Sequence, residues 1–193
     1  MSADKTGCIL IVEDEETVRK WVRDVLEGRG YRQFLEAEHI EQARSLMKEH
    51  WDKIVLIVMD VMLPENESDA IKIQELMEQR EPAYDRWLRL EDEGKYKTDP
   101  DWLKARFDVD LYDRKIFEIL NVEGGVQLIE EWGKEFGKDG KLDKPVLYLT
   151  ARENEAVTKK GISLVVGGKA EWRVKPVTSE QLISGTKKIL LVE

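Results

Sequence analysis

Ionisable and hydroxyl side chains stand at the carboxyl ends of four short apolar runs of this sequence. Glu13 and Asp14 follow the first run, Asp60 the second and Lys175 the fourth, while Thr150 ends the third. In a parallel sheet the ligand site lies beyond the carboxyl ends of the strands, so these five side chains can converge. Three carboxylates, a hydroxyl and an ammonium group are a set suited to phosphoryl transfer.

The chemistry expected of this set starts with a cation. Gathered carboxylates are hard oxygen donors that suit Mg²⁺, or Mn²⁺, while water and phosphate fill the remaining coordination positions. Without it, each like-charge contact at ~4 Å costs roughly 4 kcal/mol at an effective dielectric of about 20, which would repel a phosphate donor. Asp60 is then the expected nucleophile, with Lys175 pairing one phosphate oxygen and the Thr150 hydroxyl donating to another.

Each of these residues also has an ordinary structural interpretation. Asp14 can cap a helix that begins near Thr17, Thr150 can cap one from Arg152 onward, and Lys175 can be a surface charge. The functional interpretation is favoured because independent caps need not recur at every strand end.

The runs that carry these residues predict a parallel sheet, because three of them are continuous and rich in β-branched residues. The predicted strands are Cys8–Val12, Tyr31–Glu36, Lys53–Met59, Pro145–Leu149 and Ala170–Val174. The helical patterns that alternate with them are Thr17–Glu27, His39–Glu49, Glu153–Lys160 and Ser179–Leu191. This alternation predicts a doubly wound α/β fold with five strands.

A long segment between the second and third of those continuous runs interrupts the alternation with charged, helix-forming sequence. Seven of the chain's 15 aromatic residues lie there, and disordered segments are poor in aromatics. We therefore expect a folded helical insertion. Asn66 or Ser68 can cap its first helix, Pro82 can open a second, and Asp99 with Pro100 can begin another.

The overall composition excludes several function classes. The net charge is −9 and no basic run offsets it, so direct binding of nucleic acid is not expected. The single cysteine, Cys8, begins an apolar run and is predicted to be a small buried hydrophobe. No apolar stretch approaches the roughly 20 residues that span a bilayer, so membrane insertion is not expected and the chain is predicted to be cytoplasmic.

Four motifs together resemble those of a response-regulator receiver domain: VEDEETVR, VMDVMLP, LYLTAREN and WRVKPV. The resemblance covers most of residues 8–65 and 122–192, which divides the chain into a first receiver part (1–65), a helical insertion (66–121) and a second receiver part (122–193). It implies a flavodoxin-like sheet of order 2-1-3-4-5. It also implies Mg²⁺ bound by Glu13, Asp14, Asp60 and the backbone carbonyl of Met62, with Asp60 phosphorylated by a histidine kinase or phosphotransfer protein.

The resemblance also assigns switching and tuning residues. Trp172 stands at the family's aromatic switch position, usually Tyr or Phe, and is expected to turn inward as Thr150 moves toward the phosphoryl group. Met62 and Arg152 stand at the two positions that tune loss of the phosphate in similar proteins. Because Met62 is bulky enough to hinder an attacking water, we expect slow hydrolysis.

The expected function is a standalone receiver that catalyses its own phosphorylation and slow dephosphorylation, turns over no separate substrate, and signals to an unknown output protein by contact. One alternative is a receiver-like interaction module that needs no phosphorylation and whose insertion covers Asp60. Another is a phosphohydrolase of the haloacid-dehalogenase type, which is disfavoured because that class expects a second acid where this chain has Met62.

Overall fold

The computed structural model describes residues 7–96, 98–151 and 154–190. It contains one sheet of five parallel strands in the order β2-β1-β3-β4-β5. The strands are β1 (Cys8–Val12), β2 (Gln33–Ala37), β3 (Ile54–Asp60), β4 (Val146–Thr150) and β5 (Ala170–Val174). The predicted flavodoxin-like fold and strand order are confirmed.

Seven α-helices accompany the sheet in this part of the chain. They are α1 (Glu16–Glu27), α2 (Ile40–His50), α3 (Glu67–Asp92), α4 (Pro100–Ile119), α5 (Gly124–Phe136), α6 (Glu155–Ser163) and α7 (Ser179–Leu190). Single 3₁₀ turns lie at Trp51–Lys53 and Val166–Gly168. None of the helices described is long and apolar enough to cross a bilayer.

Helices cover both faces of the sheet, which explains why its central strands are apolar without alternation. Successive strand side chains point to opposite faces. Leu10 of β1 packs with α2 and α5 residues, whereas Ile9 packs with α1 and α7 residues. Burial of each such side chain is worth about 1.5–3 kcal/mol, so both layers hold the ends of β1 and β3 in place.

The two long helices that follow β3 form an antiparallel hairpin. Asn66 caps α3 by accepting a hydrogen bond from the Asp69 amide at 3.0 Å. Asp99 caps α4 by accepting from the amides of Asp101 (2.8 Å) and Trp102 (3.3 Å), with Pro100 at the first helical position. The predicted helical insertion and both of these starts are therefore confirmed.

The prediction that Pro82 opens a separate helix is wrong, because α3 continues through it. A proline in a helix interior costs about 3 kcal/mol, since it removes one hydrogen bond and crowds the preceding turn. Packing on α4 offsets this cost: Leu90 and Trp87 of α3 contact Trp102 and Ala105 of α4 in a separate small core. This contact joins residues distant in sequence, which a local pattern does not reveal.

The hairpin leaves and re-enters the α/β fold at one point. Leu63 and Asn121 exchange backbone hydrogen bonds of 3.2 and 3.0 Å, which makes an antiparallel bridge at the hairpin's base. The two helices pack chiefly against each other. The hairpin therefore projects from the sheet and leaves the order of the strands undisturbed.

Candidate functional site

Three acidic side chains meet at the carboxyl ends of the two central strands. Glu13 and Asp14 follow β1, Asp60 ends the neighbouring β3, and one carboxylate oxygen of each lies within 4.8 Å of the others. Glu13 and Asp60 are only 2% and 5% exposed. The sheet register alone brings them together, because β1 and β3 pair in parallel up to Val12 and Met59.

Lys175 reaches this acidic cluster from the segment that follows β5. Its Nζ lies 2.6 Å from Asp60 Oδ2 and 2.8 Å from the Glu13 carboxylate. Its backbone amide donates to the Thr150 carbonyl oxygen at 2.7 Å, which fixes the start of the segment against the end of β4. The lysine is therefore a half-buried counter-ion of Asp60 and Glu13 and not the surface charge of the structural alternative.

The charges of the cluster are unbalanced, because one lysine faces three carboxylates. Burial, and then the charge of Asp60, raise the pKa of Glu13 well above its ordinary range, although Lys175 opposes this. The same two causes raise the pKa of Asp14 to about 6. Burial by itself would lower the pKa of Lys175, but the charges of Asp60 and Glu13 outweigh it and raise that pKa.

These shifts show that the site is short of positive charge. A buried cluster of hard oxygen donors with excess negative charge is the environment that a divalent cation relieves. The donor set therefore fits Mg²⁺.

Thr150 and Trp172 lie beside this cluster rather than in it. They share a cavity of about 180 Å³ that also includes residues on either side of the hairpin's base. Its lining residues are Val61, Met62, Val122, Glu123, Thr150, Asn154, Val157 and Trp172. The indole of Trp172 is half-buried, with its ring centre 4.8 Å from that of Tyr148.

Met62 is held close to Asp60 through the backbone. Its amide donates to Asp60 Oδ1 at 3.1 Å, so the loop after β3 turns back over the carboxylate. Arg152, the other predicted tuning residue, lies outside the described residues.

Comparison with known protein families agrees with this geometry. A family model described as the response regulator receiver domain matches residues 9–88, a stretch that includes Glu13, Asp14 and Asp60 in order. The chain contains a receiver domain. This is the signalling module of two-component systems, and the matched stretch runs into α3 of the hairpin.

Curated relatives match a shorter stretch of this receiver. The transcriptional regulatory protein YvrH of Bacillus subtilis is 44% identical over 59 residues, which is 31% of this chain and 24% of that protein. The KDP operon transcriptional regulatory protein KdpE of Escherichia coli is 42% identical over 59 residues, which is 31% of this chain and 25% of that protein. The chain thus spans about a quarter of each relative's length.

Solved structures resemble the receiver over nearly all of its length. A CheY-like receiver domain protein of Methanospirillum hungatei has a TM-score of 0.55 at 15% identity, covering 95% of this chain and 93% of that one. A CheX–CheY–BeF₃–Mg²⁺ complex of Borrelia burgdorferi has a TM-score of 0.57 at 14% identity, covering 96% and 90%. At these identities the likeness concerns the fold alone.

The helix starts around the receiver's site contradict two structural alternatives. Glu15, not Asp14, is the N-cap residue of α1. Helix α6 begins at Glu155, two residues later than predicted, and its cap is Asn154, which accepts from two amides at 3.1 and 3.3 Å. Capping therefore does not account for Asp14 or Thr150 at their positions.

Arg19 is a part of the site that the sequence analysis missed. It is 6% exposed, and its Nη1 donates to the Glu13 carbonyl oxygen at 2.7 Å. Its Nη2 donates to Glu38 Oε1, also at 2.7 Å. One guanidinium therefore joins the end of β1 to the end of β2. The available signal was an arginine one turn into α1, within an otherwise apolar face.

Gly125 is a second residue whose role appears only in three dimensions. Its amide donates to the Val61 carbonyl oxygen at 3.1 Å, at the start of α5. A Cβ there would stand 2.0 Å from the Asp60 carbonyl oxygen, so only glycine allows α5 to begin this close to the end of β3.

Proposed function

We propose that this receiver accepts a phosphoryl group on Asp60, in a Mg²⁺-dependent reaction, from a histidine kinase or phosphotransfer protein. The observation that carries the proposal is the placement of Asp60 among two further carboxylates and the Lys175 ammonium. Three carboxylates with only one ammonium group are costly to bury, and a bound cation would offset this cost.

Four oxygen donors are proposed for the cation. They are the carboxylates of Glu13, Asp14 and Asp60 and the backbone carbonyl of Met62. Bound there, Mg²⁺, or Mn²⁺, would neutralise charge between the carboxylates and the incoming phosphate. The acid cluster supports this proposal, as does the Mg²⁺ of the structurally similar CheX–CheY–BeF₃–Mg²⁺ complex of Borrelia burgdorferi.

The chain's own residues supply the transfer chemistry. A carboxylate oxygen of Asp60 forms the new bond to phosphorus while the bond between phosphorus and the donor's histidine nitrogen breaks, and that nitrogen keeps the electron pair. Lys175 exchanges its contact with Asp60 for a phosphoryl oxygen, and the Thr150 hydroxyl donates to another. We thus propose self-catalysed phosphorylation without turnover of a separate substrate.

The proposed switch consists of Thr150 and Trp172. Both line one cavity, so movement of the threonine toward the phosphoryl group would open space into which the indole can turn. For loss of the phosphate we propose Met62 and Arg152 as tuning residues. Met62 stands beside Asp60, where its side chain can obstruct an attacking water and lengthen the lifetime of the acyl phosphate.

Intact-mass analysis tests the proposal directly. We expect the wild-type chain to gain one phosphate after incubation with acetyl phosphate or phosphoramidate and Mg²⁺. Asp60→Asn should gain none, because the amide is not a comparable nucleophile. Omission of Mg²⁺ should abolish labelling of the wild type. A folded, Mg²⁺-binding wild type that gains no phosphate would favour the alternative of a phosphorylation-independent module.

We further propose that residues 66–121 form a docking element rather than a lid. None of the described residues of α3 or α4 lines the cavity beside Thr150. The output is proposed to be a protein contact made by a cytoplasmic receiver, because the net charge of −9 disfavours nucleic acid. The surface of α6, β5 and α7, with Trp172, is the second candidate for that contact.

Deletion of the hairpin distinguishes a docking element from a lid over the acyl phosphate. Replacing residues 66–121 by a short glycine linker should leave a folded receiver, because the bridge between Leu63 and Asn121 shows that the two ends left by the deletion lie close together. We expect the lifetime of the acyl phosphate, followed by mass after removal of the donor, to change less than about twofold. A much shorter lifetime in a folded variant would show that the hairpin shields the phosphate.

A further inference from the structure

Exposed apolar side chains are concentrated on the hairpin of α3 and α4. Among the described residues, seven of the ten large apolar side chains with high exposure belong to it or to its connecting turn. These seven are Ile71, Met77, Leu88, Tyr96, Leu103, Phe107 and Leu111. Scattered exposed apolar residues are ordinary, but a concentration on one projecting element indicates an interaction surface.

Three of these residues form an unpartnered stripe along α4. Leu103, Phe107 and Leu111 are four residues apart, which places them on one face of the helix. They are 49%, 63% and 41% exposed. The face of α4 that packs on α3 is different and carries Trp102 and Ala105. We call Leu103, Phe107 and Leu111 the outer stripe.

The charges beside the outer stripe alternate in sign. Lys104 and Asp108 lie on one side of it, and Arg106 and Asp110 lie on the other. Arg106 already pairs with Asp110 at 2.9 Å. Within residues 7–96, 98–151 and 154–190, neither Lys104 nor Asp108 has an ion-pair partner. The stripe is thus bordered by one satisfied and one unsatisfied pair of opposite charges.

We propose that two copies of the chain form a two-fold symmetric dimer through the outer stripe, with their α4 helices antiparallel. A two-fold axis at Phe107 stacks the two phenyl rings and sets Leu103 against Leu111 of the other copy. In such an antiparallel pair, each lateral side of one α4 helix lies next to the same lateral side of the other α4 helix. Lys104 then faces Asp108 of the other copy, within about two residues of the same level, or ~3 Å along the axis.

Charge complementarity indicates that the binding partner of the outer stripe is a second copy of the chain. The other side of the stripe repeats the match, because Arg106 of one copy faces Asp110 of the other. A self-complementary patch of this kind is what an isologous two-fold interface requires. The four flanking charges cancel, so the stripe carries no net charge that would favour a strongly acidic or basic partner.

Sedimentation analysis of the full chain tests the proposal in its first part. We expect wild type to be a dimer, and Phe107→Asp to weaken dimerisation at least about 100-fold, because it buries a charge at the centre of the interface. Ile71→Asp is the matched control, since Ile71 is 53% exposed on the same hairpin but outside the stripe. It should leave the dimer intact, and circular dichroism should show both variants folded.

Charge reversal tests the pairing itself. Lys104→Glu alone and Asp108→Lys alone should each weaken dimerisation about 10-fold, since each homodimer then contains two repulsive contacts. Mixing the two variants should restore association. In a dimer of one copy of each variant, positions 104 and 108 carry opposite charges across the interface, whereas a dimer of two identical copies keeps like charges there. A wild type that stays monomeric at about 100 μM, an unaffected Phe107→Asp dimer, or a mixture that fails to associate would each overturn the proposal.

Discussion

Replacing Lys175 with methionine should lower the free energy of unfolding of the metal-free protein by about 3 kcal/mol at neutral pH. The side chain is 19% exposed, and its ammonium contacts both Asp60 and Glu13. Removal of one partner from a buried ion pair costs about 3–5 kcal/mol, because the remaining charge stays buried without compensation. Here two carboxylates would lose their cation at once.

Chemical denaturation with and without Mg²⁺ measures this change. We expect Mg²⁺ to recover part of the lost stability, because a divalent cation in the cluster compensates the same carboxylates. Lys159→Met is the matched control: Lys159 pairs with Glu155 at the surface, where both side chains are more than 70% exposed. Exposed pairs are worth less than about 1 kcal/mol. Equal losses in the two variants would contradict the assigned role of Lys175.

Asp14→Asn should change stability in the opposite direction and raise the free energy of unfolding of the metal-free protein by about 2 kcal/mol at pH 7. Burial and Asp60 raise the pKa of Asp14 from its ordinary 3.8 to about 6. That difference corresponds to about 3 kcal/mol, and the partial exposure of Asp14 reduces it to about 2. The amide has no charge to bury and removes this penalty.

The pH dependence gives the sign of the effect. Because the folded state keeps the Asp14 proton to a higher pH than the unfolded state, wild-type stability should fall as pH rises from about 4 to about 6. Asp14→Asn should make this part of the curve less steep, and the raised pKa of Glu13 should account for the slope that remains. The substitution should also remove most of the stabilisation that Mg²⁺ gives at pH 7. If the metal-free variant is no more stable than metal-free wild type, burial and repulsion from Asp60 do not destabilise the charged form of Asp14.

The positions of the candidate site residues could be predicted because each one ends or follows an apolar run. A strand buried on both faces cannot continue through Asp60 or past Glu13 without burying a charge, so the ends of the runs coincide with the ends of the strands. The parallel pairing of β1 with β3 then brings the ends together. The same reasoning placed Lys175, since it follows the last strand.

Contacts between distant segments account for what the sequence did not reveal. The continuation of helix α3 through Pro82 depends on packing against α4, which begins about twenty residues further along the chain. Arg19 looks like an ordinary charged residue of α1 until the Glu13 carbonyl is seen beneath it. Gly125 looks like a helix start until Asp60 is seen beside it. Each is explained by proximity in space, which local propensity does not encode.

The bridge between Leu63 and Asn121 has a consequence for how the chain folds. Strands β3 and β4 pair in parallel although residues 61–145 separate them, and closing so long a loop is slow because of its entropy. Helical hairpins form from local contacts on much shorter timescales. Once formed, the hairpin brings its two ends together, so the search for β4 starts from a loop shortened by more than half. The insertion thus lengthens the chain while adding little to the entropic barrier of its central strand pairing.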